Sequence, residues 1–303
     1  ERKQFEIAAY DIGNLFHEVI NRFFVDVQKR DILWEELEKS TSDSIVEECV
    51  EKVVEEYEND VFEGTARNLF IKNQVRETAL KTVEVLVRHI KSGRFQPAEY
   101  ELKVLHGRID RVDTYERGDD IFVKVIDYKS GNTGFELLSL YHGLKLQLVV
   151  YMNAAMELFA KQNPAKEVVP AGMFYYHIDD PMVEGTGSES EEEIRRKILE
   201  NLRLDGVVNT EDDIYRAMDV ELSGKSNVLP ISVNKDGTVR KSDKAVDKEE
   251  FRLIADYANY RIAEAGNAIL KGNTEVNPYL LKNRSSCDYC PYAAVCGFDK
   301  KIP

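Results

Sequence analysis

The chain has 303 residues, of which 43% are hydrophobic, 10% aromatic and 32% charged, enough apolar side chain for a substantial core. This composition excludes collagen-like, disulfide-scaffold and grossly disordered classes, and no apolar run reaches the ~18 residues that a membrane-spanning helix needs. With 41 Lys+Arg against 55 Asp+Glu, the net charge of −14 argues, taken over the whole chain, against a nucleic-acid binder.

The chain opens Glu1-Arg2-Lys3-Gln4, without Met or an apolar leader, and reads as a piece of a longer protein. Residues 1–96 are predicted as a helical part. Gly13, Phe16, His17, Ile20, Phe24 and Val27 recur at three- and four-residue steps, and 43–57 and 67–90 keep a similar period. Pro97 ends this texture, and extended segments follow over 100–105, 108–115 and 121–128. The turn Glu116-Arg117-Gly118-Asp119-Asp120 predicts that the last two form an antiparallel hairpin. A helix is predicted over 137–160, with Leu144, Leu148, Tyr151, Ala155 and Leu158 as its apolar stripe. A strand follows over 168–177, bounded by Pro170 and Pro181. Residues 97–183 thus read as the core, and 184–246 as an insertion or loop region. Residues 247–303 read as an amphipathic helix, stopped by Gly272-Asn273, and a cysteine cluster. The order gives an α+β fold, a mixed central sheet flanked by helices.

The chemistry concentrates in Gly107-Arg108-Ile109-Asp110-Arg111-Val112-Asp113 and in Asp127-Tyr128-Lys129-Ser130-Gly131. Residues two apart on a strand share a face, so Asp127 and Lys129 project together, and hairpin pairing brings Asp110 beside Asp127. Two carboxylates and an ammonium on one spot suit a hard divalent cation such as Mg²⁺ and a phosphate ester. An Asp-x-Lys pair is also the pattern of a solvated surface ion pair. Here it ends a nearly continuous apolar strand, Ile121, Phe122, Val123, Val125 and Ile126.

These motifs together resemble the signature of RecB-family nucleases within the PD-(D/E)XK superfamily. Leu15-Phe16-His17 is similar to that family's helical His motif, and Gln147 to Tyr151 to its Q-x-x-x-Y helix motif. The resemblance covers most of the chain and includes 204–208, 217–219 and the ending from Cys287 to Asp299. It implies a restriction-endonuclease-like core and a metal-dependent deoxyribonuclease. In that reading His17, Asp110, Asp127 and the Tyr128 backbone carbonyl hold Mg²⁺ or Mn²⁺. Lys129 serves the attacking water, and Gln147 and Tyr151 position the strand. Glu101 is a possible outer ligand.

Cys287-x2-Cys290-x5-Cys296 is a three-thiolate spacing that needs a fourth ligand. The resemblance implies a 4Fe-4S cluster whose fourth Cys lies upstream of this chain, leaving the site incomplete or empty here. Cys49, mid-helix in an acidic run, is a poor substitute. The nearest subgroup forms the nuclease part of the B subunit of bacterial helicase–nuclease complexes. That implies DNA and an A subunit as partners, a cytoplasmic, nucleoid-associated setting without membrane, and exonuclease action on the 5′-ended strand in double-strand-break repair by recombination. A stand-alone CRISPR-associated nuclease and an inactive DNA-docking scaffold are the alternatives. Gly224-Lys225-Ser226 is no P-loop, because Asp219 stands where its first Gly belongs.

The acid is uneven. Residues 1–64 carry 7 Lys+Arg against 18 Asp+Glu, whereas 65–110 carry 9 against 5. Lys81, Arg88 and Lys91 are expected to give the third helix a basic, phosphate-tracking side beside the metal.

Overall fold

The computed structural model describes residues 9–57, 65–104, 107–131, 133–179, 181, 189–281 and 284–298. Helix α1 (Ala9–Lys29) buries Leu15, Phe16, Val19, Ile20, Phe23, Phe24 and Val27, the stripe that its three- and four-residue spacing requires. It packs with α2 (Lys39–Glu56) and α3 (Ala66–Lys91). Thr65 starts α3, its hydroxyl accepting the Asn68 N–H at 3.1 Å.

Strands β1 (Gln96–Val104), β2 (Gly107–Arg117) and β3 (Asp120–Lys129) form an antiparallel meander, with Arg117 opposite Asp120 at the expected turn. β3 is buried on both faces, as a central strand must be when helices cover each side. Phe122, Ile126 and Tyr128 face the α1–α3 core, while Val123 and Val125 face a second core that includes Leu148 and Met152. Helices α4 (Leu137–Tyr141) and α5 (Gln147–Gln162) carry the chain over to β4 (Glu167–His177), which runs parallel to β3. β5 (Asp205–Asn209) and β6 (Ala245–Val246) complete a mixed six-stranded sheet in the order β1 to β6.

Three differences from the sequence reading have physical causes. First, the helix expected over 137–160 is broken at 142–146, where Gly143 and Lys145 take φ values of 74° and 54°. Leu144 therefore leaves the apolar stripe, and Gln147 becomes the first residue of α5. Second, 184–246 is not all insertion. It supplies α6 (Glu191–Asn201), then β5 and β6, and α7 (Ile214–Met218); residues 182–188 lie outside the described residues. β5 has only five residues, too few for alternation to declare it. Third, Pro170 lies inside β4 and not at its edge. It sits at a register shift, where a missing N–H is tolerated.

Residues Glu1–Ala258 and Asn259–Pro303 form two compact units. Helix α8 (Lys248–Leu270) begins in the first, and Gly272, at φ 69°, follows its end. The second unit carries the short hairpin of β7 (Leu280–Leu281) and β8 (Arg284–Ser285), and helix α9 (Ala293–Cys296). Among the described residues no helix is long and apolar enough to cross a membrane.

Candidate active site

At the end of β3, Asp127 and Lys129 point to one face, with Lys129 Nζ 2.6 Å from Asp127 Oδ2. The β2–β3 register pairs Arg111 with Ile126, so Asp110 comes next to Asp127. Asp110 is held on both sides. Its Oδ2 accepts the Tyr128 N–H at 2.6 Å, and its Oδ1 lies 3.2 Å from His17 Nδ1. His17 reaches the sheet because Leu15, Phe16, Val19 and Ile20 bury that part of α1. Close approach at Gly13 helps: a Cβ there would stand 2.8 Å from Ser130 Oγ.

Gln147 and Tyr151, four apart on α5, share a face. Gln147 Oε1 accepts from Lys129 Nζ at 2.9 Å, and its Nε2 donates to the Tyr151 hydroxyl at 2.9 Å. The Tyr175 ring lies 5.4 Å from the same ammonium. Lys129 is thus held by a carboxylate, an amide and an aromatic face.

Glu101 belongs to this cluster more closely than an outer position would. One ligand atom each from His17, Glu101 and Asp110 lie within 4.8 Å of one another, a spacing that fits a shared cation. Glu101 is left-handed at φ 50° and ion-paired with Arg108, and neither its backbone nor Arg108's place in the site is written in strand periodicity. The open cleft, about 580 Å³, is also lined by Asn14, Arg22 and Arg108.

The cluster titrates abnormally. Burial and the neighbouring Asp110 charge push Asp127 up to about 6 against the pull of Lys129. Burial pushes Glu101 up to about 7, opposed by Arg108. Burial works to lower the His17 pKa, but its hydrogen bond to Asp110 and the surrounding carboxylates leave it raised.

Behind the site, Asp113 is fully buried. It accepts from Arg111 Nε at 2.5 Å and Nη2 at 2.6 Å, and lies 2.8 Å from Lys124 Nζ. Arg111 also sits 4.8 Å over the Phe24 ring of α1.

The expected basic side of α3 does not border this cleft, whose lining contains no α3 residue. Lys72 and Arg76 pair with Glu51 and Glu47 of α2, and Lys91 donates to the Leu37 carbonyl. Cys49 is buried in α2, its thiol pushed up to about 11 by burial. In the second unit Cys287, Cys290 and Cys296 are free thiols. Among the described residues they are not gathered to the spacing that tetrahedral zinc demands.

A family model described as the PD-(D/E)XK nuclease superfamily matches residues 1–297. Among curated proteins, the chain is 39% identical to the B subunit of the ATP-dependent helicase/deoxyribonuclease of Lachnoclostridium phytofermentans, over 100% of this chain and 27% of that protein. It is 34% identical to the protein of the same name from Clostridium tetani (100% of this chain, 28% of that protein). To the one from a Thermoanaerobacter species it is 33% identical (99% and 28%). The chain therefore spans little more than a quarter of the length of the relatives it matches.

Proposed function

Because the chain belongs to the PD-(D/E)XK nuclease superfamily, we propose that it hydrolyses DNA phosphodiester bonds with a divalent cation, Mg²⁺ or Mn²⁺, held by His17, Glu101, Asp110 and Asp127, with the Tyr128 carbonyl as a further ligand. The observation that carries this reading is the convergence of His17, Glu101 and Asp110 beside the Asp127–Lys129 pair. A bound divalent cation supplies charge for the phosphate oxygens and acidifies water. Lys129 holds an ammonium where negative charge builds on the phosphate, and takes part in orienting the attacking water. Gln147 fixes the Lys129 Nζ, and Tyr151 fixes Gln147. In this reading the DNA strand lies along the Gln147–Tyr151 face.

The relatives, named as B subunits of a helicase/deoxyribonuclease, favour a wider role. In it the chain is the exonuclease part of a helicase–nuclease complex, with an A subunit as partner, acting on the 5′-ended strand during break repair by recombination. Cys287, Cys290 and Cys296 are the residues that would supply ligands to an iron–sulfur cluster, and no step of hydrolysis passes through them. A docking scaffold with a decayed site is disfavoured, since each of His17, Asp110, Asp127 and Lys129 keeps its polar partner.

The test is incubation of end-labelled linear DNA with Mg²⁺, with and without chelator. Cleavage that the chelator stops, that reports polarity, and that Asp127→Ala abolishes with the circular dichroism spectrum unchanged supports the reading. Full activity in Asp127→Ala sinks the site assignment.

A further inference from the structure

Lys129 is a wall shared by two clefts. One is the candidate active site. The other, about 660 Å³, opens past the end of β3 and is lined also by Ser130, Gly131, His177, Asp179 and Asn201. Its size falls within the range of ~300–1,000 Å³ typical of ligand pockets. The geometry points to this second cleft as the subsite for the nucleoside adjoining the scissile phosphate, with His177 as its polar anchor. The inference deepens the nuclease reading above and rests on it.

The parallel β3–β4 register pairs Lys129 with His177, so the two side chains leave neighbouring strands on the same face. His177 is anchored by one ring hydrogen bond. A carbonyl can only accept, so Nδ1–H donates to Gly131 O at 3.1 Å. In the neutral ring Nε2 is then an acceptor, and no hydrogen bond reaches it among the described residues. An exocyclic base amine is the group it can take.

Gly134, also on the lining, is held in place, its carbonyl accepting from Lys145 Nζ at 2.9 Å. At Gly131 the space where a side chain would begin is open. A strand whose phosphate lies at Lys129 continues on both sides of that phosphate, and the second cleft lies beside it. The ring acceptor at His177 suits a base edge, so the occupant is the sugar and base.

The test is steady-state cleavage of a single-stranded oligonucleotide by the full chain with Mg²⁺, comparing wild type, His177→Ala and His177→Gln. Calorimetric Mn²⁺ binding to each variant is the structural control. His177→Ala is expected to raise KM about three- to tenfold, the scale of one hydrogen bond, with kcat within about twofold and Mn²⁺ affinity unchanged. His177→Gln, which keeps a polar acceptor near the Nε2 position, is expected to recover most of that loss. The subsite is overturned if KM does not move, if kcat and Mn²⁺ affinity fall together, or if His177→Gln is no better than His177→Ala. A wild-type chain that cuts no DNA overturns the nuclease reading and the subsite with it, whereas active wild type with an indifferent His177 overturns the subsite alone.

Discussion

Asp113 carries two cations at once. Burial raises its pKa, but Arg111 and then Lys124 overcome this and hold it at about 2. Removing the carboxylate leaves two buried positive charges without an anion, so Asp113→Ala is expected to cost about 3–5 kcal/mol in urea unfolding. His89 is also fully buried. Burial first, and Lys124 and Arg111 after it, lower it to about 3. Unfolded His takes a proton near pH 6.5 that the folded form refuses, so stability is intact above about 6.5 and lost as pH falls towards 3. His89→Leu should flatten that slope by about 1.4 kcal/mol per pH unit between pH 6 and 4.5, and an unchanged slope would rule His89 out as its source. The same logic extends to the cation proposed for the cleft. With Glu101 near 7 and Asp127 near 6, carboxylates must shed protons to bind an ion. Affinity should weaken as pH drops from 8 to 6, and calorimetry in buffers of different ionisation enthalpy should detect released protons. Asp110, Asp127 and Lys129 were legible because two-residue alternation and a hairpin turn place them without further knowledge. Arg111, Asp113 and Lys124 were not, since nothing in a charged strand residue says that its face will be buried. The nearness of Glu101 depends on a left-handed backbone that no pattern announces.

Local breaks decide how the elements present these residues. Gly143 and Lys145, both at positive φ, end α4 and restart the helix at Gln147, which sets the amide against Lys129. Gly143→Ala forces a side chain into the left-handed region, at a cost of about 1–2 kcal/mol. It should lower both the melting temperature and kcat; a drop in melting temperature alone would mean that the break does not position Gln147. Gly206 has the opposite constraint, space and not backbone angle. A Cβ there would sit 2.0 Å from the Met173 carbonyl oxygen on β4. Gly206→Ala must lever β5 off the sheet, at a cost of about 1–3 kcal/mol or more, and hydrogen exchange at Val207 and Val208 should accelerate. The meander and the α1–α3 bundle were readable from periodicity because each element is long enough to repeat its pattern. The break at 142–146 interrupts a stripe that stays apolar through it, and β5 is shorter than its pattern, so neither was.

Across the whole molecule, part of the acid of the N-terminal helices is spent against the base of α3. Glu47 with Arg76 and Glu51 with Lys72 tie the −11 segment to the +4 segment. Lys72 and Arg76 are thereby tied to carboxylates rather than left for phosphate. Inside the cleft every lining Arg and Lys among the described residues already faces carboxylates: Arg22 with Glu18 and Glu56, Arg108 with Glu101, Lys129 with Asp127. A strand bound there therefore displaces few counterions. If about two or three phosphates are neutralised, log K against log salt for single-stranded DNA should slope only about −1.4 to −2. On the proposed reading most of the attraction then comes from a divalent cation held by the carboxylates, so chelation should weaken binding more than a fourfold rise in salt. Fluorescence anisotropy with an Asp127→Asn chain, across salt and with or without a divalent ion, separates the two contributions. A slope steeper than about −4, indifferent to chelator, would place the DNA on a basic surface away from this cleft and remove the cation from the binding account.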